Sequence, residues 1–413
     1  MSATVSSRFL RIFDAEAGHL PRAYWFLWGG TFVNRLGSFV LPMLTIYLTA
    51  RRGLSLQDAG WIMSLLGLGS LAGVTLGGVL ADRVGRRFTM VLGLGLGAAA
   101  MLALGAADER WQLALAAVGV GMLGDLYRPA SQAIIADLVA PEHRMKAFGL
   151  LYWAINLGFA LGTTLAGFLA EHHFTALFVG DAITTLVFAG IVFRYIPESK
   201  PVAPEEGTQG SLFTPFADPV YLPFLILNFV IIVVFFQHAV ALPVDMASKH
   251  LGPSDYGLAI ALNGVLIVLL QPMATRWLRN TRRSYVLAAG CVLTGVGLGF
   301  AAFATTLPGF MLSVAIWTLG EIIISPVSSS IIADLSPVHL RGRYQGAFTL
   351  TWSLAMLVGP LVGPWVVRVS DMRTLWFSCV AVGCACALGQ LTLAGPRRRR
   401  LAELGTATSG LRD

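Results

Sequence analysis

Long apolar runs, repeated along the whole sequence, are the feature that most limits what this chain can fold into. A run of 18 or more largely apolar residues predicts a helix that crosses a membrane. The first half has six such runs, at about residues 22–50, 57–81, 88–107, 111–139, 146–170 and 174–196. The second half has six more, at about residues 219–247, 254–278, 284–305, 308–335, 342–368 and 373–395. The sequence therefore predicts an all-α membrane protein with twelve transmembrane helices.

Composition limits the class of protein further. The chain is 56% hydrophobic and 12% charged, whereas charged residues make up about a quarter of an ordinary soluble domain. The net charge of +7 is carried by bases in short loops, where they orient a chain in a membrane, so nucleic-acid binding is not predicted. No phosphate-binding loop, metal-type His/Cys cluster or nucleophile elbow is present in the sequence. We therefore predict neither an enzyme nor a metal site nor a bound cofactor.

A polar segment divides the chain into two halves. Residues 197–218 form the only long internal polar stretch, and its Pro, Glu and Gly residues are typical of a linker. This predicts one six-helix bundle over residues 22–196 and a second over residues 219–395. A segment of residues 1–21 and a basic tail of residues 396–413 flank the bundles. We expect this tail to be disordered, with its arginines at the membrane surface.

The distribution of basic residues predicts the orientation of the chain. Of the 29 Lys and Arg residues, 21 fall on the cytoplasmic side if the N-terminus is inside. Two lie within spans, and the six on the outer side are Arg51, Arg52, Arg110, Lys249, Arg368 and Arg373. This asymmetry predicts that both termini are cytoplasmic.

The two halves share an internal repeat with an offset of 197 residues. The string PASQAIIADL at residues 129–138 returns as PVSSSIIADL at residues 326–335. The same offset relates Arg144 to Arg341, Gly149 to Gly346 and Gly162 to Gly359. The fourth and fifth spans are thus echoed by the tenth and eleventh, which predicts two pseudo-symmetric six-helix halves.

The short loop between the second and third spans carries a distinctive pattern. It reads GVLADRVGRR over residues 78–87 and combines three arginines with an aspartate and two glycines. Arginines hold such a loop on the cytoplasmic side, and a small residue such as Gly78 lets another helix approach closely. The string resembles motif A of the major facilitator superfamily, G-x-L-A-D-R-x-G-R-R, at every defined position. The whole chain resembles the twelve-span bacterial drug–proton antiporters of that superfamily.

The resemblance implies a gate on the cytoplasmic side. Asp82 would cap the N-terminal end of the eleventh span when the cavity opens outward, and Arg86 would pair with Asp137. Asp334 and Arg341 would be the counterparts in the second half. The gate predicted in this way consists of Gly78, Asp82, Arg83, Gly85, Arg86, Arg87, Asp137, Asp334 and Arg341. The second-half loop, residues 276–283, keeps its charge but lacks the Asp and Gly of the motif, so we expect an asymmetric latch.

Polar residues in the middle of spans are costly in a membrane and are candidates for a functional site. The resemblance implies that the first, fourth, seventh and tenth spans line a central cavity near the membrane midplane. Each of these four spans carries polar groups at mid-depth, and two further acids, Asp181 and Asp245, lie in outer parts of spans. The predicted substrate-cavity residues are Asn34, Arg35, Tyr127, Arg128, Gln237, Asn263 and Trp317.

Three mid-span groups are candidates for proton coupling, namely Asp125, Glu321 and His238. A carboxyl group in a low-dielectric cavity holds its proton more tightly than in water, which suits proton pickup and release near neutral pH. Histidine titrates in this range by its ordinary chemistry. The structural alternatives are that Asp125 and Arg128, three residues apart on one helix face, neutralise each other, and that His238 is a packing residue.

The fifth span partly matches a further motif. Drug–proton antiporters of the superfamily carry G-x-x-x-G-P-x-x-G-G here, and this chain reads GFALGTTLAG over residues 158–167. Thr163 stands in place of the proline, so the motif supports antiport only in part. The eleventh span echoes the pattern, and small residues at this spacing allow close helix contact. The predicted helix-packing residues are Gly158, Gly162, Gly167, Gly359, Pro360 and Gly363.

These features predict a secondary active transporter of the bacterial inner membrane that works by alternating access. The main prediction is a monomer that exports small amphiphilic, drug-like molecules, with the proton gradient as energy source. Its predicted partners are the small-molecule substrate, protons and the lipid bilayer. One alternative is a transporter of a specific metabolite, such as an amino acid, a sugar or a siderophore, because carboxylates and arginines together also suit a zwitterion. An alternative from another class is a membrane receptor that does not transport.

Overall fold

Helices form all the regular structure in the part of the chain that is described. The computed structural model describes residues 20–199, 214–278, 281–337 and 340–403. The helices of the first half are Arg22–Arg51 (α1), Leu56–Arg83 (α2), Arg86–Ala106 (α3), Arg110–Asp125 with Tyr127–Leu138 (α4), Pro141–His172 (α5) and Phe174–Tyr195 (α6). Those of the second half are Tyr221–Ser248 (α7), Pro253–Trp277 (α8), Arg283–Phe300 (α9), Leu307–Leu335 (α10), Arg341–Val369 (α11) and Met372–Thr392 (α12). Two short helices, Thr214–Ala217 and Ala394–Glu403, flank the second half.

Eleven helices of the described part are long and apolar enough to cross a membrane. α4 falls outside this set, since it is divided at Leu126 and carries Asp125 and Arg128 beside the division. The prediction of an all-α membrane fold is confirmed. Eleven of the twelve predicted spans are confirmed. The remaining one, α4, contains the polar pair that makes it a site candidate, and this pair also makes the helix less apolar.

Three helices, α1, α4 and α7, are interrupted part-way along their length. The regular part of α1 stops at Leu36 and restarts at Val40, and α7 is broken at Phe236 and Ala241. A break frees backbone N–H and C=O groups, which need partners inside a membrane. Discontinuous helices of this kind line binding sites near the midplane in many membrane carriers. The breaks therefore mark where a site is expected in this fold.

Glycines of α2 and α8 close two seams between the halves. A Cβ added at Gly67 would lie 2.6 Å from the Met356 carbonyl oxygen, and one at Gly264 would lie 2.8 Å from that of Asn156. The backbones approach too closely for side chains at these positions. The glycines of the two seams are related by the 197-residue offset, and their contacts are Gly60–Pro360, Gly67–Met356, Gly257–Thr163 and Gly264–Asn156.

The halves meet mainly at one face of the molecule. We call the side where α1 begins and α12 ends the termini face, and the opposite side the far face. Near the far face, Thr45 of α1 donates a hydrogen bond to the Ala239 carbonyl of α7 at 2.8 Å, and Ser254 of α8 donates one to the Glu171 carboxylate of α5. At the termini face, by contrast, a Cβ on Gly78 of α2 would meet nothing within 4 Å. The space between the halves is therefore closed at the far face and open toward the termini face.

The basic tail is helical where it is described, and this corrects the prediction of disorder. Arg397 in the helix Ala394–Glu403 is 1% exposed and donates hydrogen bonds to Gln390 and Ser284. Its guanidinium lies 5.7 Å from the centre of the Phe224 ring. A buried arginine needs such partners, and these attach the tail helix to α7, α9 and α12. A run of four arginines does not reveal by itself that one of them points inward.

Candidate functional site

A polar cavity of about 80 Å³ lies in the first half, next to the breaks in α1 and α4. Its polar walls come from α1, α4 and α6, and α2 and α3 contribute apolar side chains. The polar residues are Asn34, Arg35, Ser38, Asp125, Tyr127, Arg128, Asp181 and Thr185. Four predicted substrate-cavity residues, Asn34, Arg35, Tyr127 and Arg128, are thus brought together with Asp125.

Asp125 has partners on both carboxylate oxygens. The Nε atom of Arg128 lies 2.8 Å from Oδ1, and Ser70 of α2 donates a hydrogen bond to Oδ2. Asp125 is buried, whereas the Arg128 side chain is 44% exposed. The pair therefore presents its guanidinium to the open space between the halves. This is the arrangement of the structural alternative, in which the two charges neutralise each other.

Asp181 of α6 supports α1 at its break. Its Oδ2 accepts a hydrogen bond from the backbone N–H of Val40 at 3.4 Å, where the restarted helix has no partner of its own for that group. Just before the break, Asn34 donates to the Thr185 hydroxyl at 2.9 Å. Sequence reasoning noted Asp181 as a polar residue in a span but left it out of the site. Gly37 lies at the break, but a glycine alone does not require one, so the sequence carries no clear signal for this partner.

Glu321 of α10 is held by neutral groups. Asn263 of α8 donates hydrogen bonds to its Oε2 at 2.8 Å and to the Thr318 hydroxyl at 3.1 Å. Tyr152 of α5 lies near the Glu321 carboxyl from the other half of the molecule. Within the described ranges, no Lys, Arg or His forms an ion pair with Glu321. Among the described residues, Glu321 is therefore a half-buried acid without a cationic partner.

His238 of α7 belongs to an aromatic cluster beside this acid. Its ring centre lies 4.5 Å from that of Phe235 and 5.4 Å from that of Trp317, which is one turn before Glu321 on α10. Its Nδ1 atom lies 2.7 Å from the Phe235 carbonyl oxygen. Trp352 of α11 adds a ring that is 41% exposed. The cluster gives the second half an apolar wall near its acid.

Two predicted cavity residues are buried in helix packing. Gln237 is 2% exposed, and its amide donates to the carbonyls of Val233 and Gly359 at 2.9 and 3.0 Å. The Gln237 side chain occupies the position that a side chain on residue 363 would take, and Gly363 leaves room for it. Gln237 thus joins α7 to α11 at the break in α7, and its assignment to a cavity wall stays a prediction. Trp317, which is 1% exposed, forms the core behind the aromatic wall.

Equivalent ion pairs lie at the termini face of each half. Arg86, at the start of α3, pairs with Asp137 of α4. Arg283, at the start of α9, pairs with Asp334 of α10, and both of its members are 197 residues after those of the first pair. Arg341, predicted as a gate residue together with Asp334, has its side chain outside the described residues. Among the described residues, the ion-pair partner of Asp334 is Arg283.

The loop between α2 and α3 is shaped by Gly85 and Glu198. Gly85 has φ +134°, a conformation that favours glycine. Glu198, just after α6, accepts hydrogen bonds from the backbone N–H groups of Arg87 and Phe88 at 2.9 and 3.1 Å. An acid at a helix N-terminus supplies partners for N–H groups that lack them. Sequence reasoning missed Glu198, because it was placed in the linker rather than next to the loop.

The side chains of three further gate residues, Asp82, Arg83 and Arg87, lie on the same face. Asp82 and Arg83 are exposed at the end of α2, and Asp82 forms no ion pair with any residue that the structure describes. The Arg87 guanidinium lies 5.9 Å from the ring centre of Phe193. The contact of Asp82 with the start of α11, which the resemblance implies for the outward-open state, stays a prediction.

The predicted helix-packing residues lie at contacts between helices. The contacts are Gly158 and Gly162 with α1, Gly167 with α8, Gly359 and Gly363 with α7, and Pro360 with α2. Thr163, which stands where the antiporter motif has proline, has its carbonyl against Gly257 of α8. The glycine-rich string of α5 thus packs against both α1 and α8.

Comparison with known proteins is consistent with this architecture. The family model of the Major Facilitator Superfamily matches residues 27–245 and 224–411. A Na(+), Li(+), K(+)/H(+) antiporter of Planococcus maritimus is 26% identical over 385 residues, which cover 84% of this chain and 88% of the relative. The multidrug resistance protein MdtH of Aeromonas salmonicida is 26% identical over 348 residues, 82% of this chain and 86% of the relative. The crystal structure of a POT family transporter in complex with a thioalcohol-conjugated peptide has a TM-score of 0.78 at 16% identity, and covers 91% of this chain and 97% of its own.

Two pseudo-symmetric helical halves around a polar interior define a membrane transporter. The chain belongs to the Major Facilitator Superfamily, as the resemblance of the loop between α2 and α3 predicted.

Proposed function

We propose that this protein exports small amphiphilic, drug-like molecules across the bacterial inner membrane in exchange for protons. It acts as a monomer with both termini in the cytoplasm, and the proton gradient is its energy source. The observation that carries the proposal is Glu321, a half-buried carboxyl in mid-span that is held by Asn263 and has no cationic partner among the described residues. An uncompensated charge at this depth is costly, and a bound proton removes the cost.

Glu321 is accordingly the proton carrier in this proposal, and Asp125 is structural. Asp125 already has Arg128 as its counter-charge and Ser70 as a hydrogen-bond donor. A proton on Asp125 would leave the Arg128 charge uncompensated beside it. Asp125 is therefore assigned the role of holding Arg128 and Ser70 in place.

The substrate class is supported by the aromatic wall next to Glu321. The exposed ring of Trp352 and the neighbouring Phe235 offer apolar surface to a molecule that enters from the termini face. An amphiphile places its apolar part on such a wall and its polar part near the acid. Two relatives of similar length bear names that fit, one a cation/H(+) antiporter and the other a multidrug resistance protein.

A second candidate function is transport of a zwitterionic metabolite. Arg128 of the first half is 44% exposed, while Glu321 belongs to the second half. Groups of opposite sign on the two halves would bind the two ends of an amino acid or a short peptide. A POT family transporter of the same fold has been crystallised with a peptide conjugate.

Proton movement in proteoliposomes tests the proposal directly. Native protein, Glu321→Gln and Asp125→Asn are compared over a panel of cationic dyes, amino acids, short peptides and sodium. We expect the native protein to exchange protons for a dye. E321Q should still bind the dye, but its rate of dye-driven proton movement should fall about 100-fold, which is at the low end of the effect of losing a proton-transferring group. Asp125→Asn is expected to lower stability while the remaining folded protein stays coupled.

Three results would contradict the proposal. Native proton coupling in E321Q would make Glu321 structural. Dye flux without proton movement would make the protein a facilitator. Proton-coupled uptake of amino acids or peptides, without dye transport, would favour the zwitterion carrier.

A further inference from the structure

A second cavity, of about 480 Å³, lies at the termini face between three separate segments. Its walls come from the short helix Thr214–Ala217 and the chain that leads into α7, from the start of α11, and from the tail helix Ala394–Glu403. The residues that matter for its chemistry are Ala217, Asp218, Tyr344, Arg399 and Arg400. None of them belongs to the transport site proposed above.

Asp218, the acid in this wall, already has partners on both carboxylate oxygens. Asp218 Oδ1 accepts hydrogen bonds from the N–H groups of Val220 and Tyr221 at 2.9 and 3.0 Å, and so caps α7. Asp218 Oδ2 accepts a hydrogen bond from the Tyr344 hydroxyl at 2.8 Å and lies 3.5 Å from the Arg400 guanidinium. Its single negative charge is therefore shared between a helix N-terminus and one of the two arginines.

The cavity as a whole has a positive wall. Among the described residues that line it, Asp218 is the one acid, against Arg399 and Arg400. Arg399 is exposed, and the neighbouring Arg398 is exposed on the same helix. Burial of Arg397 against Gln390 and Ser284 fixes the orientation of this helix, and Arg399 and Arg400 lie on the side that lines the cavity. A guanidinium in such a wall suits an anionic oxygen such as that of a phosphate group.

The depth of the cavity limits what the anion can be. It lies beside the first turn of α7 and just after the end of α12 at Thr392, where the spans leave the hydrocarbon layer. Phospholipid headgroups occupy this level, and basic pockets at the ends of membrane helices bind anionic ones. We propose that this cavity binds the headgroup of an anionic phospholipid, with the Arg399 guanidinium on its phosphate. The site does not depend on the proposed transport function.

Lipid binding to the purified full chain, measured by native mass spectrometry in mild detergent, tests this proposal. The probes are phosphatidylglycerol and phosphatidylcholine of equal chain length. We expect native protein to retain phosphatidylglycerol preferentially, and Arg399→Gln to weaken that binding about 10-fold, as expected for loss of one charge-assisted hydrogen bond. Arg398→Gln is the matched control, because it removes the same charge from the same helix outside the cavity wall. Ala217→Phe fills the cavity without a change in charge and should also abolish the preference.

Four results would overturn the proposal. Equal losses in R398Q and R399Q would show a diffuse attraction to the basic helix. Unchanged binding in A217F would place the lipid elsewhere. Equal retention of the two lipids in native protein would rule out recognition of charge. Displacement of the lipid by millimolar glycerol phosphate would show that the cavity binds a soluble anion rather than a membrane lipid.

Discussion

Arg86 and Arg283 show how a single charged residue stabilises each half of this transporter. Each begins a helix and reaches an aspartate on the next helix, Asp137 and Asp334 respectively. The Arg86 side chain is 11% exposed and the Asp137 side chain 36% exposed. Removal of one partner leaves the other charge poorly solvated, which costs more than the pair contributes when intact.

Asp137→Asn and Asp334→Asn are therefore expected to lower the free energy of unfolding by about 1–3 kcal/mol, less than for a fully buried pair because the aspartates are partly solvated. The measurement is urea unfolding of the detergent-solubilised protein, with the double variant R283Q/D334N completing a cycle for the second pair. The cycle should show that the pair is coupled. Native stability in both single variants would mean that these pairs are surface contacts only.

The sequence predicted some of these pairings and missed others, for physical reasons. Spacing placed Asp125 and Arg128 on one face of a helix, and the motif placed Arg86 near Asp137. The contact of Glu321 with Asn263 was not predictable, because it depends on how α10 packs on α8. Arg283 was missed because its loop lacks the Gly and Asp of the motif. The 197-residue offset nevertheless makes Arg283 the equivalent of Arg86.

At the scale of the helix, α2 packs closely on α11 in the half that lies toward the far face, at Gly60 and Gly67. Gly67 touches the α11 backbone, whereas Gly78, three turns further along the same helix, has open space around it. The same residue type thus has opposite surroundings at the two ends of one helix. In the alternating-access mechanism proposed here, the two glycines serve opposite states of the transporter.

Gly67→Ala and Gly78→Ala form a matched pair that tests this. A Cβ at Gly67 meets the Met356 carbonyl oxygen at 2.6 Å, so G67A should destabilise the state that is open toward the termini by about 1–3 kcal/mol, a shift of about 5- to 150-fold. G78A should leave this state unaffected. Spin-label distances between the halves at each face measure the populations. Equal populations in G67A and native protein would contradict the role of the seam.

The helix breaks were the part of the fold that the sequence concealed. Apolar runs predicted α1 and α7 as continuous, because a long window averages over one or two irregular residues. Gly37 and Pro243 lie near the breaks, but neither residue type requires one. The breaks depend on partners supplied from elsewhere, such as Asp181 for the N–H of Val40.

At the scale of the whole molecule, apolar length and the repeat predicted two halves of membrane helices, which the structure has. They did not predict which face is closed, because that depends on contacts between halves. Glu171 and Ser254 lie across this boundary at the far face, and their side chains must separate if that face opens.

A short thiol cross-linker between Glu171→Cys and Ser254→Cys should therefore arrest transport in proteoliposomes. The two variants with only one of these substitutions, treated in the same way, control for reaction at the native cysteines, of which Cys384 is exposed, and should keep transporting. Spin-label distances should show the cross-linked protein fixed with its far face closed. Transport by fully cross-linked protein would show that this contact does not open during the cycle.

The glycine seams lie closer to the far ends of the helices than to the ends at the termini face. On α2, Gly67 is 11 residues from Leu56 and 16 residues from Arg83, about 16 Å and about 24 Å at the rise of an α-helix. If the halves rock about a line through Gly67 and Gly264, a given angle moves the termini ends of α2 and α11 further apart than their far ends. The vestibule on the termini side is then deeper and wider than the one on the far side. In the export proposed here, a bulky molecule would enter the termini side more readily than it leaves at the far side, and the exit step would then limit the size of the substrate.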